Sequence, residues 1–500
     1  MKPILNNKLF FITVAVLIAL FVAIFSPFLG IAILFGFLVL YFSLKNPLNG
    51  ILFLAFYLPF EPLILKFISG PVASYAKIAS DALIVFLFLY TIIIYLVGHK
   101  KFIWQRNTLN WLIIFFVIIW LVSTIYNQVD LVSAFSSLRQ LFRYALIFYV
   151  LFYLGADEKF VKKFIYVCFS VLILESFIGL SQLILPASFS YFLTPATTQT
   201  AYGSAVIETG NFGWNITERI AGTFGRYDRF GIFLSFFLVI GLGLYYILKK
   251  QNKTNLLPPI LAFGSLALIF TFSRLSWSGV LLGLILIGWL WQKDKRIKFG
   301  ILAGLSILII YLSIFLALTG FKISSYEENP AKINFATRVL QTFSYYEWEN
   351  SYYGFGRIFF WINTPKIVVA SSPLIGVGPG LYGSGTASAL QNREVYNRLG
   401  LPFGIQDQMG QIDNNWFSIW GEYGTLGFLI FLAFFISLFF QTKKKYLNNN
   451  TNLLVKGLAL GFMALCIIYP LQSFFGPYFE IRTISFYFWA VAGIIISYKK

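Results

Sequence analysis

The chain has few charged residues, a single histidine and two cysteines. Only 11% of its 500 residues are charged, compared with about 25% in soluble domains, and this excludes an ordinary soluble protein. His99 lies in a lysine-rich connection, and Cys168 and Cys466 both lie inside apolar runs. These ligands exclude a zinc site, and the separated cysteines favour small core residues over a disulfide. We expect neither a metal nor a cofactor.

Long apolar runs, in contrast, recur from one end of the chain to the other. A helix needs about 20 apolar residues to cross a bilayer, and these runs are long enough. The sequence therefore predicts an all-α, polytopic transmembrane bundle with about fourteen spans. The predicted spans are 9–26, 28–44, 49–67, 77–97, 109–127, 134–154, 163–185, 229–248, 256–272, 275–292, 298–320, 414–440, 453–472 and 481–498.

The net charge of +19 follows the topology of a membrane protein rather than a nucleic-acid surface. Basic residues crowd into alternate connections, such as 249–253 and 443–445, whereas the short connections between them hold only Arg274. Basic residues resist translocation, so the rich connections are expected in the cytoplasm. An even number of spans then places both termini in the cytoplasm and predicts no nucleic-acid partner.

Two connections are too long to be turns, and both are expected outside the cytoplasm. They divide the chain into N-terminal helices (1–185), a first extracytoplasmic loop (186–228), central helices (229–320), a large extracytoplasmic loop (321–413) and C-terminal helices (414–500). The large loop contains stretches with the spacing of amphipathic helices, as at the membrane interface. A disordered spacer is the alternative. Function tends to lie on long ordered loops.

Charged residues inside the predicted spans cluster in their outer halves. Arg139 and Arg143 lie four residues apart on one helical face, and Glu61, Asp81 and Glu175 lie at similar depth. One interpretation is an ion pair that only supports packing. The other is a polar cavity open to the outside, because charges in membrane spans usually face a wet interior.

Arginines are also enriched near the ends of the two long connections. Arg219, Arg226 and Arg229 precede the eighth span, and Arg357 begins an amphipathic stretch that contains Trp361. Guanidinium groups bind phosphate oxygens through two parallel hydrogen bonds, and aromatic rings can stack on sugars. This pattern favours a lipid-linked diphosphate as the ligand, and the membrane lipid as the surrounding partner.

Four motifs lie beside or between the later predicted spans. The motifs are Arg219-Ile220-Ala221-Gly222-Thr223-Phe224; Thr271-Phe272-Ser273-Arg274; Gly356-Arg357 to Trp361 with Pro373 to Gly380; and Asp413-Asn414-Asn415-Trp416-Phe417 with Glu422 to Gly427. No single motif is specific, but their order and their placement relative to the spans are. Together they resemble the O-antigen ligase and polymerase superfamily of membrane glycosyltransferases.

The resemblance implies a fold of the GT-C type and transfer of glycan from polyprenyl diphosphate to a sugar hydroxyl. Ligases typically have His-Asn where this chain has Asp413-Asn414, so the resemblance favours a polymerase of oligosaccharide repeat units. It implies Asp413 as base, with Asn414 and Trp361 near the substrate. Asp413 could instead cap the following helix. The diphosphate-binding candidates are Arg357, Arg219, Arg226, Arg274, Arg139 and Arg143.

Two alternatives remain open from the sequence. A ligase would pass the glycan to a lipid, protein or cell-wall acceptor. A transporter or flippase would carry lipid-linked sugars or small anions. A flippase would show charged residues distributed through both leaflets and internal repeats, and the sequence shows neither. The resemblance further implies metal-independent inversion, a site on the outer face of the cytoplasmic membrane, and a flippase or chain-length regulator as candidate partners.

Overall fold

The computed structural model describes residues 16–18, 20, 27–68, 71–99, 107–195, 198–202, 205–209, 219–251, 256–319 and 335–498. Within these ranges nine helices are long and apolar enough to cross a membrane, and four shorter helices are also apolar. They coincide with every predicted span except 9–26, most of which lies outside the described residues. The prediction of an all-α polytopic membrane protein is confirmed.

The helices of the N-terminal part begin at polar caps or prolines. The side chain of Asn107 accepts a hydrogen bond from Leu109 N–H, and that of Asp157 accepts one from Phe160 N–H. Such caps satisfy amide groups that a helix start leaves without partners. The helices are α1 (Pro27–Lys45), α2 (Pro47–Lys66), α3 (Pro71–His99), α4 (Thr108–Tyr126), α5 (Leu131–Phe142), α6 (Ala145–Leu154), α7 (Glu158–Ser181) and α8 (Ala187–Leu193).

The predicted sixth span, 134–154, is broken rather than continuous. Helix α5 ends at Phe142 and α6 begins at Ala145, with Arg143 and Tyr144 between them. Arg143 hydrogen-bonds to Asp81 of α3 and lies 4.9 Å from the centre of the Tyr144 ring. The prediction of one unbroken helix was therefore wrong, because a distant carboxylate, invisible to local hydropathy, interacts with the residue at the break.

The first long connection has regular structure where it is described. It contains helix α8 and an antiparallel hairpin of β1 (Thr198–Tyr202) and β2 (Ala205–Thr209). In the hairpin, Tyr202 pairs with Ala205 and Thr198 with Thr209. This hairpin is the one addition to an otherwise helical set of described elements.

The central helices follow this connection. Helix α9 begins three residues after the Arg219 motif, and α11 begins at Arg274 and continues as a π-helix over Leu284–Trp291. Both starts therefore lie at or just after a sequence motif. The central helices are α9 (Tyr227–Lys249), α10 (Leu257–Phe270), α11 (Arg274–Gly283) and α12 (Lys295–Thr319).

The described part of the large loop, 335–413, folds around a small apolar core of its own. This packing contradicts the alternative of a disordered spacer for residues 335–413. Residues 321–334 of the predicted loop lie outside the described residues. Its helices are α13 (Phe335–Leu340), α14 (Tyr345–Tyr353), α15 (Arg357–Asn363), α16 (Gly385–Ala389) and α17 (Glu394–Leu399), with a π-helical turn at Thr364–Val369. The core comprises Phe360, Val368, Val377, Tyr382, Val395, Tyr396, Leu401, Phe403 and Ile412.

Three helices complete the bundle: α18 (Asn415–Leu447), α19 (Leu453–Gln472) and α20 (Arg482–Ser497). Helices α9 and α19 form its centre. A Cβ atom on Gly243 of α9 would lie 2.3 Å from the backbone nitrogen of Gly461 in α19. Glycine at this crossing lets the two backbones approach closely, as in other tightly packed membrane helices.

The large loop is attached to the bundle at a kink in α18. Gly424 has φ +65°, which interrupts the helix and exposes backbone groups. Residues of the Pro373 motif take up these groups: Thr425 N–H donates to Pro373 O at 2.9 Å, and Val377 N–H donates to Gly421 O at 2.8 Å. The loop thus covers one end of the bundle, the loop end, where α9, α11, α18 and α20 begin.

Candidate functional site

A small cavity opens at the loop end, between the starts of α9, α18 and α20. Its volume is about 40 Å³, enough for a few water molecules but not for a sugar chain. Polar and charged side chains form much of its wall, which is unusual at the start of apolar helices. The lining residues are Arg226, Asp228, Arg229, Ile405, Met409, Gln411, Asp413, Pro477, Tyr478 and Ile481.

Asp413 forms an ion pair with Arg357 beside this cavity. Nε and Nη2 of Arg357 lie 3.2 and 3.1 Å from the same oxygen, Oδ2 of Asp413. Within the described part of the chain, Oδ1 of Asp413 makes no hydrogen bond. The side chains of Arg357 and Asp413 are 44% and 25% exposed. One carboxylate oxygen is therefore held by Arg357, while the other makes no hydrogen bond to a described residue.

Asn414, and not Asp413, caps helix α18. Oδ1 of Asn414 accepts a hydrogen bond from Phe417 N–H at 3.0 Å, and Asn414 is 2% exposed. Its Nδ2 is buried and has no hydrogen-bond partner among the described residues. The interpretation of Asp413 as a helix cap was therefore wrong by one residue.

A second acid–arginine pair faces Asp413 across the cavity. Arg226, just before α9, binds Asp228 through two parallel contacts, Nε–Oδ1 at 3.0 Å and Nη2–Oδ2 at 3.1 Å. The neighbouring Arg229 is exposed at the cavity wall. Asp228 raises the pKa of Arg226 and outweighs its burial, and Asp413 contributes in the same direction. Arg226 therefore stays charged, and it lines the cavity together with Arg229.

Electrostatics also keep Arg357 charged. Partial desolvation by the surrounding protein would lower the pKa of Arg357, but Asp413, then Tyr478 and Tyr227, raise it above its ordinary value. Tyr478 lies in a 3₁₀ turn at Tyr478–Glu480, and burial followed by the charge of Asp228 raises its pKa. Tyr478 is therefore a neutral hydroxyl that could donate a hydrogen bond into the cavity.

The other two predicted loop arginines, Arg219 and Arg274, have different partners at the loop end. The guanidinium of Arg219 lies 4.5 Å from the centre of the Tyr227 ring. Arg338, which the sequence did not single out, donates to Tyr227 Oη at 3.3 Å and to Phe272 O at 3.2 Å. Arg274 donates to Thr342 Oγ1 at 3.0 Å, so it contacts the large loop and does not line the cavity.

Arg139 and Arg143 belong to a separate ion network inside the bundle. Both bind Asp81, which also binds Arg482 at 3.2 Å. Arg482 contacts Glu61 at 3.2 Å as well. The packing ion pair considered from the sequence is therefore present. These two arginines do not line the cavity, although Arg482 directly follows the cavity residue Ile481.

Glu175 has a different role from the other carboxylates in the spans. Its Oε1 accepts a hydrogen bond from Thr223 Oγ1 at 2.5 Å, and its Oε2 accepts one from Thr223 N–H at 3.1 Å. A Cβ on Gly222 would lie 2.6 Å from this carboxylate. Glu175 thus holds Thr223 of the Arg219 motif in place, just before α9, through two hydrogen bonds.

Trp361 lies beside the site rather than in its wall. Its ring lies 5.4 Å from that of Phe475, and its buried Nε1 has no hydrogen-bond partner among the described residues. Of the predicted site residues, the structure brings Asp413, Arg357 and Arg226 together. The sequence prediction missed Asp228 and Tyr478. An acidic residue two positions after Arg226, at the start of a span, was a signal for Asp228.

Residues 259–432 match a family model described as O-antigen ligase. The match runs from α10 through the large loop into α18, so it includes Arg274, Arg357 and Asp413, whereas Arg219 and Arg226 precede it. No curated protein matches the chain. The resemblance to the O-antigen ligase and polymerase superfamily is thus confirmed over this stretch, which supports a membrane glycosyltransferase.

Proposed function

We propose that the protein polymerises oligosaccharide repeat units linked to polyprenyl diphosphate, at the outer face of the cytoplasmic membrane. The observation that carries the proposal is Asp413, which lines a cavity together with Arg226 and Arg229 and has one oxygen held by Arg357 and the other without a hydrogen bond to a described residue. A carboxylate next to several cations suits a reaction in which a hydroxyl loses a proton and a diphosphate leaves. The basic connections at the other end of the bundle support the sidedness.

In the proposed reaction, Oδ1 of Asp413 takes the proton from a hydroxyl of the acceptor sugar. The hydroxyl oxygen attacks the anomeric carbon of the donor glycan from the face opposite the diphosphate. The bond from this carbon to the diphosphate oxygen then breaks, and polyprenyl diphosphate leaves with the electron pair. Direct displacement inverts the anomeric configuration.

Arg357 and Arg226 would stabilise the charge that develops on the leaving diphosphate. Both are fixed by carboxylates before substrate arrives, so little reorganisation is needed in the transition state. The cavity accommodates only the reacting groups, and the glycan and the lipid would extend beyond it. Arg274, at the same loop end, would contact more distant phosphate or sugar oxygens, whereas Arg219 is 3% exposed and packs against Tyr227.

The test is an assay of the purified protein in detergent with polyprenyl-diphosphate oligosaccharide from its own host. We expect a ladder of lengthened lipid-linked glycans, resolved by size. Removing a preorganised cation costs about 10²- to 10³-fold in rate, so Arg357→Ala should abolish the ladder. Arg393→Ala is the matched control, because Arg393 is exposed in the same loop and stacks on Phe403 at 4.2 Å.

A ligase is the second candidate, because the matching family model carries that description. A ligase given no acceptor would bind the lipid-linked glycan and leave it unlengthened. Transfer to an added lipid, protein or cell-wall acceptor would then establish ligation. Bound and intact substrate with every acceptor would contradict both reactions and favour a transporter.

A further inference from the structure

Glu480 is a carboxylate at the loop end that accepts four hydrogen bonds from different parts of the chain. Its Oε2 accepts from Gln140 Nε2 at 2.7 Å, Gly385 N–H at 2.9 Å and Gln411 Nε2 at 3.1 Å. Its Oε1 accepts from Asn415 Nδ2 at 2.9 Å. The carboxylate thus joins α5, the start of α16 and the segment leading into α18.

Two of these four donors flank Asp413 in the sequence. Gln411 lies two residues before it and Asn415 two residues after it. The backbone between them is also held, because Ile412 N–H donates to Gly383 O at 3.0 Å. Anchoring both sides of Asp413 to one carboxylate limits how far the Asp413 side chain can move.

The same short turn that contains Glu480 also contributes to the cavity. Tyr478 lines the cavity two residues earlier, and the Phe479 N–H donates to Asn415 Oδ1 at 2.8 Å. The Asn415 amide therefore bonds twice to this turn, through its oxygen to Phe479 and through its nitrogen to Glu480. These two contacts fix which way the amide points.

We propose that Glu480 is a positioning residue that holds Asp413 against the cavity through Gln411 and Asn415. The inference rests on the proposed function, since Asp413 is the base of that reaction. Glu480 does not line the cavity and takes no proton from the substrate. Its effect is geometric, because a proton acceptor displaced by about 1 Å can lose about 10²-fold in rate.

The first variant is Glu480→Gln, which keeps the shape of the side chain and replaces one acceptor oxygen by an NH₂ group. If the NH₂ group takes the place of Oε1, only the hydrogen bond from Asn415 Nδ2 is lost. If it takes the place of Oε2, it opposes the three donors Gln140, Gly385 and Gln411. The NH₂ group therefore faces the Asn415 amide, donor against donor. We expect kcat to fall about 10- to 100-fold with little change in KM, because catalytic geometry is disturbed but diphosphate binding is not.

The second variant reverses this conflict. In Glu480→Gln combined with Asn415→Asp, the new amide can donate to the new carboxylate, and the other carboxylate oxygen still accepts from Phe479 N–H. We expect the double variant to recover most of the lost kcat. A purely structural loss of stability would not be relieved by moving the charge from one partner to the other. Glu394→Gln, an exposed carboxyl in α17, is the control and should retain full activity.

Amide hydrogen exchange of the segment 411–417 provides a readout that does not depend on activity. We expect faster exchange in Glu480→Gln than in the wild type, and restored protection in the double variant. Unchanged kcat and unchanged exchange in Glu480→Gln would overturn the inference, as would a double variant that folds and stays as slow as Glu480→Gln. A wild-type protein that lengthens no glycan would instead refute the proposed function, while the exchange result would still test whether Glu480 holds the segment.

Discussion

Asn414→Ala and Asp413→Ala should separate two roles that lie side by side at the start of α18. Asn414 caps the helix through a 3.0 Å hydrogen bond from Phe417 N–H. Replacing an Asn cap by Ala costs about 0.5–2 kcal/mol, and at a position that is 2% exposed water cannot readily replace the lost acceptor. Asn414→Ala should therefore loosen the first turn of α18.

Asp413→Ala should leave that turn almost intact. Asp413 contributes no cap, and its ion pair with Arg357 involves a guanidinium side chain that is 44% exposed. Exposed pairs of this kind contribute about 0.2–1 kcal/mol to stability. The variant should nevertheless lose the lengthening activity, because the proposed base is gone.

The assay is amide hydrogen exchange of a peptide containing Phe417, since local opening controls exchange. Every 1.4 kcal/mol corresponds to about tenfold in the opening equilibrium, so Asn414→Ala should speed exchange several-fold to more than tenfold. Asn414→Asp is the control, because it keeps the accepting oxygen, and it should retain protection. Equal acceleration in Asp413→Ala, or none in Asn414→Ala, would refute the cap assignment.

Two further variants test the packing around the site. Gly376→Ala should reduce the monodisperse fraction on size-exclusion chromatography, because Gly376 has φ +74° and a Cβ there would lie 2.4 Å from the backbone of Glu422. The control is Gly400→Ala, with φ +63° and open space around the Cβ, which should cost only the backbone strain of about 1–2 kcal/mol. Similar losses in both variants would contradict the close-packing argument. Asp81→Asn should lower the thermal midpoint well below that of Arg139→Gln. Asp81 is buried and pairs with the partly buried Arg143 and Arg482, so its loss should cost at most about 3–5 kcal/mol, whereas the Arg139 side chain is 54% exposed and its pair contributes less. The reverse order would contradict the central role of Asp81 in the network.

Much of the bundle could be predicted from local sequence. A membrane span depends on the hydropathy of one continuous stretch, and this holds for the predicted spans from 28–44 to 481–498 that coincide with helices. Three site residues, Arg226, Arg357 and Asp413, were also predicted. They stood out because charged residues in motifs beside apolar helices are rare in such a chain.

The pairing of these residues was beyond the reach of local sequence. Arg357 and Asp413 lie 56 positions apart. The chain between them folds around its own apolar core, and this packing places the two side chains in contact. The break between α5 and α6 has the same origin. Asp81 lies far from Arg143 in the sequence, and only packing of α3 against this region makes them partners.

The sequence by itself determined that the chain crosses the membrane repeatedly and which connections are basic. It also identified the few charged residues, at the loop end, that could bind a diphosphate or accept a proton. These properties follow from composition along single segments. The tertiary structure alone decided that Asn414 caps α18 and leaves Asp413 to face a cavity. It also decided that Tyr478 lines this cavity and that Glu480 hydrogen-bonds to residues on both sides of Asp413. A carboxylate such as Glu480 has no recognisable motif, because its role depends on four donors that meet only when α5, the large loop and α18 pack together.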